Sequence, residues 1–533
     1  MLTDLRHLLR LFAIGRCFAR QDALFLLREA PMGTGTRGML GLFQAVFGHR
    51  RPELREGERL AAALSELGPS FIKLGQVLSV RPDLVGAALA EDLGRLRDKL
   101  PPFSWAEARA VIEAELGAPV ETLFAHIETE PVAAASVAQV HLAETSDGRA
   151  VAVKVLRPGV EAAFARDLAL FAWLAEAAER HVVDMERLRP RDVVASLRDW
   201  VAIELDLRLE AAAAGELRDN FRDDPDVLVP AVDWQRTARR VMTVERIEGL
   251  PVEDRAALQE AGLDLHDLAA RVIRVFLKQA LRDGYFHADM HHGNLFVSRP
   301  DGAAAGGRLE LVDFGIMGRL DMKTRRFMAE MLGAFLTGNW RRAAEVHFEA
   351  GYVPADRDVN AFAQACRSIG EPILDRPVTE ISIGRLLAQL FQITETFGMR
   401  TQTHLLLLQK TMVTVEGVAR SLDPEINFWE VARPVIEDWA RENMGPEAQL
   451  REAATALIDF VRRLPQMARD LEVMAAAAEG RSGDWGRLYR DEAAQNGLGA
   501  RERESARESA RWPLAWPLWT IAALLALGLI IWR

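Results

Sequence analysis

The segment from His287 to Asn294 constrains this chain more than any other, because five of its eight residues carry polar side chains suited to chemistry. It reads His-Ala-Asp-Met-His-His-Gly-Asn, and the apolar run 295–298 follows. A glycine-rich break then leads to a second apolar run, 309–312, and to Asp313 at the start of Asp-Phe-Gly. The two runs and the turn residues between them predict a β-hairpin. Such a hairpin would bring Asn294 and Asp313 together at its open end.

The order of these polar residues is that of protein-kinase-like phosphotransfer sites. In those sites the first Asp, here Asp289, accepts or orients the proton of the attacking hydroxyl, while the Asn and the second Asp hold magnesium. Magnesium takes hard oxygen ligands, which explains the residue types. A zinc site is the competing interpretation for His287, His291 and His292, but no nearby Cys and no His-Glu-x-x-His spacing supports it.

Composition narrows the class of protein further. The 533 residues are 49% hydrophobic, which is enough for a substantial core, and could form several domains. The formal net charge of −11 argues against a nucleic-acid-binding surface. Cys17 and Cys366 lie far apart in the sequence, so they indicate neither a disulfide framework nor a metal cluster. This usage fits a reducing compartment.

The C-terminal stretch 512–532 contains no charged residue, and tryptophans lie near both of its ends. About twenty apolar residues span the hydrocarbon core of a bilayer, and tryptophans favour its interfaces. A buried amphipathic helix would show a polar stripe, which this stretch lacks. It therefore predicts one membrane-spanning helix after a charged linker, 480–511. Four arginines precede the helix and only Arg533 follows, which places the body of the protein in the cytoplasm.

Strand signals begin near Pro131. The segment 132–144 and the run 150–155 flank an Asp-Gly turn, so they predict antiparallel strands. The second run ends Val-Ala-Val-Lys-Val, the form of the kinase strand whose lysine, here Lys154, holds the α- and β-phosphates. A strand over 239–247 is predicted to link two lobes, with backbone groups that would meet adenine.

A single helix is predicted over 199–211, carrying Glu204, Asp206 and Glu210, which could pair with Lys154 or Lys73 or join the metal site. Pro69 and Ser70 predict the start of another helix, on which Lys73 and Gln76 would project side by side. By themselves, such polar residues are typical of the solvated edge of an amphipathic helix.

Together these motifs resemble the UbiB/ADCK (AarF-like) family of atypical kinases over about residues 60 to 430. The most distinctive is the Lys-x-Gly-Gln motif that begins at Lys73, followed by the alanine-rich loop 133–141 in place of a glycine-rich loop. Glu204 begins the Glu-x-Asp motif. Length and the apolar tail are similar to those of the bacterial UbiB proteins of ubiquinone biosynthesis. Met290 and His292 depart from the prolines usual in the family, and the tail has room for one membrane helix where two are common.

The resemblance implies a role for each motif residue. It makes Asp289 the catalytic residue, and Asn294 and Asp313 the magnesium ligands. It assigns nucleotide contacts to Val132, Ala133, Ala134, Ala135, Ser136, Val137, Ala138, Gln139 and Lys154. It assigns supporting roles to Lys73, Gln76, Glu204, Asp206, Glu210 and His287. Lys73 and Gln76 would lie over the pocket, engage Glu204 or Asp206, and block a protein-sized substrate, while Glu210 would pair with Lys154.

The expected fold is α+β and helix-rich, a protein-kinase-like two-lobed fold with an N-terminal helical extension and a C-terminal transmembrane helix. The predicted division is a helical extension over 1–120, an N-lobe with inserted helices over 121–248, a helical C-lobe over 249–479, the linker 480–511 and the membrane helix 512–532.

The expected function is that of a Mg²⁺- and ATP-dependent phosphotransferase or ATPase supporting ubiquinone biosynthesis at the bacterial inner membrane. Expected partners are membrane lipid, polyprenyl-phenol ubiquinone intermediates and other proteins of that pathway, not nucleic acid. Two alternatives are a small-molecule phosphotransferase of the aminoglycoside-kinase type and a catalytically silent membrane scaffold. The Lys73 motif and the tail argue against the first, and the set Lys154, Asp289, Asn294 and Asp313 argues against the second. The sequence leaves the phosphate acceptor and the oligomeric state open.

Overall fold

The fold is described from a computed structural model of the whole chain. The residues it describes are 2–25, 41, 43–49, 51, 53–79, 85–94, 96, 100–181, 190–300, 306–374, 396–399 and 403–445. The predicted linker 480–511 and the predicted membrane helix 512–532 lie outside these ranges. Among the described helices, none is long and apolar enough to cross a membrane.

In the part of the chain that the structure describes, six helices precede the first strand. They are α1 (Leu2–Arg20), α2 (Glu56–Leu67), α3 (Pro69–Ser79), α4 (Ala87–Leu93), α5 (Trp105–Leu116) and the short α6 (Val120–Leu123). The helix predicted to start at Pro69 is confirmed as α3; proline fits there because the first helical turn needs no backbone donor. Phe71 of α3 is buried and its ring packs edge-on against Phe171, at 5.2 Å between centroids.

A five-stranded antiparallel sheet follows. Its strands are β1 (Phe124–Ile127), β2 (Ala133–Ala134), β3 (Ala138–Thr145), β4 (Ala150–Leu156) and β6 (Val241–Glu245), in the order β1-β3-β4-β6, with β2 pairing β3. The predicted hairpin around the Asp-Gly turn is confirmed as β3 and β4, and Gly148 in that turn has a φ of 82°. The edge strand β1 was not predicted, because strand signals were placed only from Pro131 onward. It pairs with the far end of β3.

Between β4 and β6, the described residues form three helices: α7 (Val160–His181), α8 (Pro190–Glu204) and α9 (Leu207–Asn220). The prediction of one helix over 199–211 is wrong, because the chain turns a corner between Glu204 and Leu207. Asp206 causes the break, since its side chain accepts the backbone N–H of Arg208 and so caps the start of α9. Glu204 and Glu210 therefore lie on either side of a corner.

In the described residues of the second half, the chain forms two small sheets and a further set of helices. One sheet has the order β5 (Val227–Leu228), β10 (Leu309–Leu311), β9 (Leu295–Val297), β7 (Leu250–Pro251), and the other pairs β8 (Tyr285–His287) with β11 (Met317–Arg319). The helices are α10 (Arg255–Glu260), α11 (Leu265–Leu277), α12 (Met322–Leu336), α13 (Trp340–Glu349), α14 (Val359–Leu374), α15 (Thr403–Leu422) and α16 (Phe428–Met444). A π-helical segment, Lys278–Asp283, follows α11 and leads into β8.

The residues that dominate the core of this half come from α11. Its buried side chains include Val272, Ile273 and Phe276, and the ring of Phe276 meets that of Phe286 in β8 at 6.3 Å. The described residues up to Glu437 belong to one compact unit. The observed architecture is thus α+β and helix-rich, as predicted.

Candidate active site

Lys154 lies at the centre of a group of charged side chains drawn from three elements. It projects from β4, which is paired on both sides, opposite Val140 of β3 and Met242 of β6. Its Nζ donates to Glu210 Oε1 of α9 at 2.6 Å and to Asp313 Oδ1 at 3.2 Å. The family resemblance implied the pairing of Lys154 with Glu210, while the bridge to Asp313 depends on the fold.

The charges in this group shift one another's ionisation. The ammonium of Lys154 is the main reason why the pKa of Asp313 falls to about 2. Burial by itself would lower the pKa of Lys154, but the carboxylates of Asp313 and Glu210 outweigh it and raise that pKa above its usual range. Burial raises the pKa of Glu210 despite its contact with Lys154. Lys154 is therefore charged and Asp313 ionised in the folded protein near neutral pH.

The predicted hairpin after the polar loop is confirmed as β9 and β10, with Leu295 opposite Leu311. The backbone N–H of Val312 donates to the carbonyl of Asn294 at 3.2 Å, so the pairing continues to the open end of the hairpin. Asp313 follows at once with a φ of 61°, a left-handed conformation that Asp tolerates better than most residues. Asn294 and Asp313 are thus brought to the same end of the hairpin, as expected.

His287 holds the backbone of the loop. It is fully buried, its Nε2 is 3.0 Å from the carbonyl of Val312, and its Nδ1 accepts the N–H of Asp289 at 3.1 Å. Burial lowers the pKa of His287, which favours the neutral ring with its proton on Nε2. The side chain of Gln279 accepts the N–H of His287 at 2.8 Å. Both ring nitrogens are committed to the protein, which weighs against the zinc interpretation.

Asn294 and the two unusual residues of the loop are also held by the protein. The side-chain Nδ2 of Asn294 donates to the carbonyl of Asp289 at 3.1 Å, which leaves Oδ1 as the atom suited to a metal. Met290 is buried, with its sulfur 3.8 Å from Nε2 of Gln279. His292 Nε2 lies 2.8 Å from the hydroxyl of Ser421 in α15. Side-chain packing thus fixes the loop where prolines are usual.

Asp289 has a basic side chain near each carboxylate oxygen. His291 Nε2 is 3.6 Å from Oδ2, and Lys410 Nζ, from α15, is 3.9 Å from Oδ1. Reasoning from the sequence missed Lys410, because nothing in the helical pattern of 403–422 indicates which element it faces. A helix lysine in an apolar run is the weak signal that could have drawn attention to it.

The alanine-rich loop is a tight turn tied to the sheet. The backbone N–H of Ala135 donates to the carbonyl of Ala138 at 2.8 Å, while the guanidinium of Arg157 donates to the carbonyls of Ala135 and Ser136. The side chain of Gln139 is buried and accepts the N–H of Phe103 at 3.0 Å. Any nucleotide contact by Gln139 would therefore involve its backbone.

The motif at Lys73 reaches the corner between α8 and α9. Lys73 Nζ lies 2.7 Å from Glu204 Oε1, and its side chain is only 7% exposed. Asp206, the other predicted partner, instead caps α9 and receives the guanidinium of Arg208 at 2.6 Å. Gln76 is half-buried on the same helix as Lys73. Glu204 ends α8 and Glu210 lies in the first turn of α9, so one corner of the chain carries the carboxylate partners of both Lys73 and Lys154.

These residues fit Mg²⁺ and ATP. The carboxylate of Asp313 and Oδ1 of Asn294 are the hard oxygen ligands that magnesium prefers. Lys154, on β4 of the five-stranded sheet, supplies a positive charge beside Asp313. The arrangement suits the binding of a metal-bound polyphosphate beside Asp289.

Two protein-family models match the chain: residues 95–347 match the ABC1 atypical kinase-like domain, and residues 366–427 match the UbiB helical domain. A Marinobacter nauticus protein named "Probable protein kinase UbiB" is 41% identical over 465 residues, which cover 86% of this chain and 84% of that one. A protein of the same name from Xanthomonas axonopodis pv. citri is 41% identical over 473 residues, covering 87% and 84%. A solved Mycobacterium tuberculosis protein–erythromycin complex is 24% identical with a TM-score of 0.48, covering 76% of this chain and 98% of that one.

Proposed function

The chain belongs to the UbiB family of ABC1 atypical kinase-like proteins, and from that membership we propose that it is a Mg²⁺- and ATP-dependent enzyme of ubiquinone biosynthesis. The observation that carries the proposal is the ion-paired group in which Lys154 contacts both Glu210 and Asp313. A scaffold without catalytic activity has no need for a half-buried lysine paired with carboxylates beside a metal site. This arrangement supports nucleotide binding.

Each residue has a defined task in this proposal. Lys154 neutralises the α- and β-phosphates, and Glu210 holds the lysine in place. Asn294 and Asp313 hold magnesium, which when bound offsets the charge of the phosphates. Asp289 takes the proton of the acceptor, which is water in the case of an ATPase.

The contact between Lys73 and Glu204 supports a small or lipid acceptor over a protein. The N-terminal helix α3 reaches the corner that carries Glu204, and this corner adjoins the Lys154 group. An element held there by a mostly buried ion pair restricts access by a folded protein substrate. We infer that the acceptor or effector is water or a polyprenyl-phenol intermediate of ubiquinone.

The apolar tail supports a location at the bacterial inner membrane. Residues 512–532 are uncharged and long enough to span the hydrocarbon core. In this proposal the tail is a single anchor, the catalytic body is cytoplasmic, and membrane lipid and other ubiquinone-biosynthesis proteins are the partners.

The test is ATP hydrolysis by the purified full chain, with and without Mg²⁺, anionic vesicles and a phenolic headgroup compound. We expect Mg²⁺-dependent turnover that lipid and phenol stimulate and that Asp289→Asn removes. Lys323→Met, an exposed substitution on α12, is the matched control and should retain activity. A folded protein that shows no Mg²⁺-dependent turnover under any of these conditions would favour the scaffold instead.

A further inference from the structure

The loop from His287 to Asn294 contains no lysine or arginine. A cation reaches Asp289 from a distant part of the chain, since Nζ of Lys410 lies 3.9 Å from its Oδ1. Lys410 belongs to α15, within the region 366–427 that matches the UbiB helical domain and outside the kinase-like region 95–347. The helical domain thus contributes a charged group to the site.

The placement of Lys410 is fixed by its neighbours on α15. The hydroxyl of Thr411, the next residue, donates to the carbonyl of Ala288 at 3.1 Å, and Thr411 is fully buried. One face of the helix is buried through Val415 and Val418, and Ser421 contacts His292 farther along. The backbone beneath Lys410 is therefore held against the loop that carries Asp289.

Among the described residues, Asp289 is the one ion-pair partner of the Lys410 side chain. A distance of 3.9 Å to Asp289 exceeds the 2.7–3.2 Å of an N–H···O hydrogen bond, so the contact is electrostatic and does not use the ammonium donors. The side chain is 32% exposed. Lys154, by contrast, donates to Glu210 at 2.6 Å and shares its charge with Asp313. Lys154 is thus paired with Glu210 and Asp313, whereas Lys410 is the lysine beside Asp289.

We propose that Lys410 binds the phosphoryl group during its transfer, a role that rests on the proposed function. In that step an acceptor oxygen forms a bond to the terminal phosphorus, while the bond from phosphorus to the bridging oxygen breaks. ADP leaves with the electron pair of the broken bond, and the proton of the acceptor passes to the carboxylate of Asp289. Lys410 keeps its protons and donates hydrogen bonds to the phosphoryl oxygens, whose charge it stabilises.

Lys410 could instead act only by orienting Asp289 with its charge. Binding of a transition-state mimic distinguishes this positioning role from a contact with the phosphoryl group. A phosphoryl contact strengthens binding of the Mg²⁺–ADP–aluminium fluoride complex, which mimics the group in transit, but not of Mg²⁺–ADP. That preference persists when Asp289 is changed to Asn. A positioning residue affects turnover through Asp289, so its effect on the fluoride complex disappears in the Asp289→Asn background.

The experiment compares full-length Lys410→Met and Lys410→Arg with the wild type and with Lys323→Met as the surface control. We expect Lys410→Met to lower kcat by about 10²-fold, the usual effect of losing one donor to a developing charge. It should weaken the aluminium fluoride complex and leave Mg²⁺–ADP affinity and the melting temperature unchanged. Lys410→Arg should recover part of both losses, because it restores the charge.

The outcomes separate this inference from the proposed function. If the wild type turns over ATP and Lys410→Met matches Lys323→Met in kcat and fluoride-complex affinity, the role of Lys410 is overturned while the function stands. If Lys410→Met no longer weakens binding of the aluminium fluoride complex once Asp289 is changed to Asn, the phosphoryl contact is also overturned. A wild type that neither hydrolyses ATP nor binds the fluoride complex overturns both proposals.

Discussion

At the scale of single residues, Asp313 has two unusual features. Its backbone is left-handed, with a φ of 61°, and its side chain forms an ion pair with Lys154. Asn tolerates that conformation as well as Asp does, so Asp313→Asn removes the charge without straining the turn. Lys154 holds the pKa of Asp313 at about 2, so the carboxylate is ionised and ready for a metal throughout the neutral range.

We expect Asp313→Asn to abolish Mg²⁺-dependent nucleotide binding, because the variant lacks the charge that balances metal and phosphates. Binding of Mg²⁺–ATP is measured by calorimetry, with circular dichroism to verify folding. Lys323→Met again serves as the control for the loss of a surface charge. Wild-type affinity in a folded Asp313→Asn protein would contradict the assignment of Asp313 as a ligand.

The lowered pKa of Asp313 predicts that the unfolding free energy depends on pH. Because the folded pKa of about 2 lies below the unfolded value near 3.9, the contribution of Asp313 is fully present above about pH 4. It is lost as the pH falls toward 2. The difference in unfolding free energy between wild type and Asp313→Asn should therefore be constant above pH 4 and shrink below it. A difference that grew on acidification would be inconsistent with a lowered pKa.

At the scale of elements, the corner between α8 and α9 places two carboxylates in separate ion pairs. Glu204 at the end of α8 meets Lys73, and Glu210 in the first turn of α9 meets Lys154. Asp206 makes the corner by capping α9. A short helix break thus connects the N-terminal helix α3 with the sheet that carries Lys154.

We predict that Lys73→Met lowers the unfolding free energy by about 3 kcal/mol, since it removes the ammonium that pairs with Glu204 in a mostly buried contact. Adding Glu204→Met should recover most of the loss, because an apolar pair replaces a buried ion pair at little cost. Urea unfolding of the single and double variants measures this coupling. Asp206→Asn keeps the helix cap and should show no coupling with Lys73→Met; coupling of equal size there would refute the Glu204 pairing.

The alanine-rich turn offers a second prediction at this scale. Glycine at Ala135 relaxes the restriction on positive φ and should let nearby N–H groups approach the phosphates, which tightens ATP binding. If the turn only packs the hairpin, the variant loses about 0.5–1 kcal/mol of stability and binds ATP unchanged. Ala150→Gly, in β4 outside the turn, controls for backbone entropy. Nucleotide affinity and melting temperature, measured together, distinguish the two.

At the scale of the whole molecule, regions far apart in sequence converge on the polar loop. The helix α15 contacts it through Thr411 and Ser421, and α3 reaches the neighbouring corner through Lys73. The flanking regions therefore adjoin the site that the kinase-like region builds. The tail 512–532 lies outside these regions of the sequence. Its proposed role is to anchor the protein in the membrane.

Deletion of 512–533 is expected to release the protein from membranes, because this stretch is the longest uncharged apolar one in the sequence. Flotation of full-length and truncated protein with membranes after a high-salt wash tests this. The truncated protein should keep its Mg²⁺–ATP affinity, which serves as the control for folding. Truncated protein that still floats with the membranes would show that the tail is not the anchor.

The sequence alone determined those parts of the site that depend on local pattern. Alternating apolar residues and turn residues determined both hairpins. The hairpin that follows Asn294 brought Asn294 and Asp313 to the same end. Pro69 determined the start of α3. These features could be predicted because their signals lie within a few residues of one another. The division at 120 and 248 and the role of each site residue remain predictions.

Only the tertiary structure decided which charged side chains pair with one another. Lys73 pairs with Glu204 because Asp206 is used as a helix cap, an outcome that sequence spacing over 199–211 did not reveal. Lys410 meets Asp289 because α15 packs against the loop through Thr411, although the two residues are far apart in sequence. Such contacts depend on how whole elements pack, and a one-dimensional pattern specifies which face of a helix is buried but not which loop that face will meet.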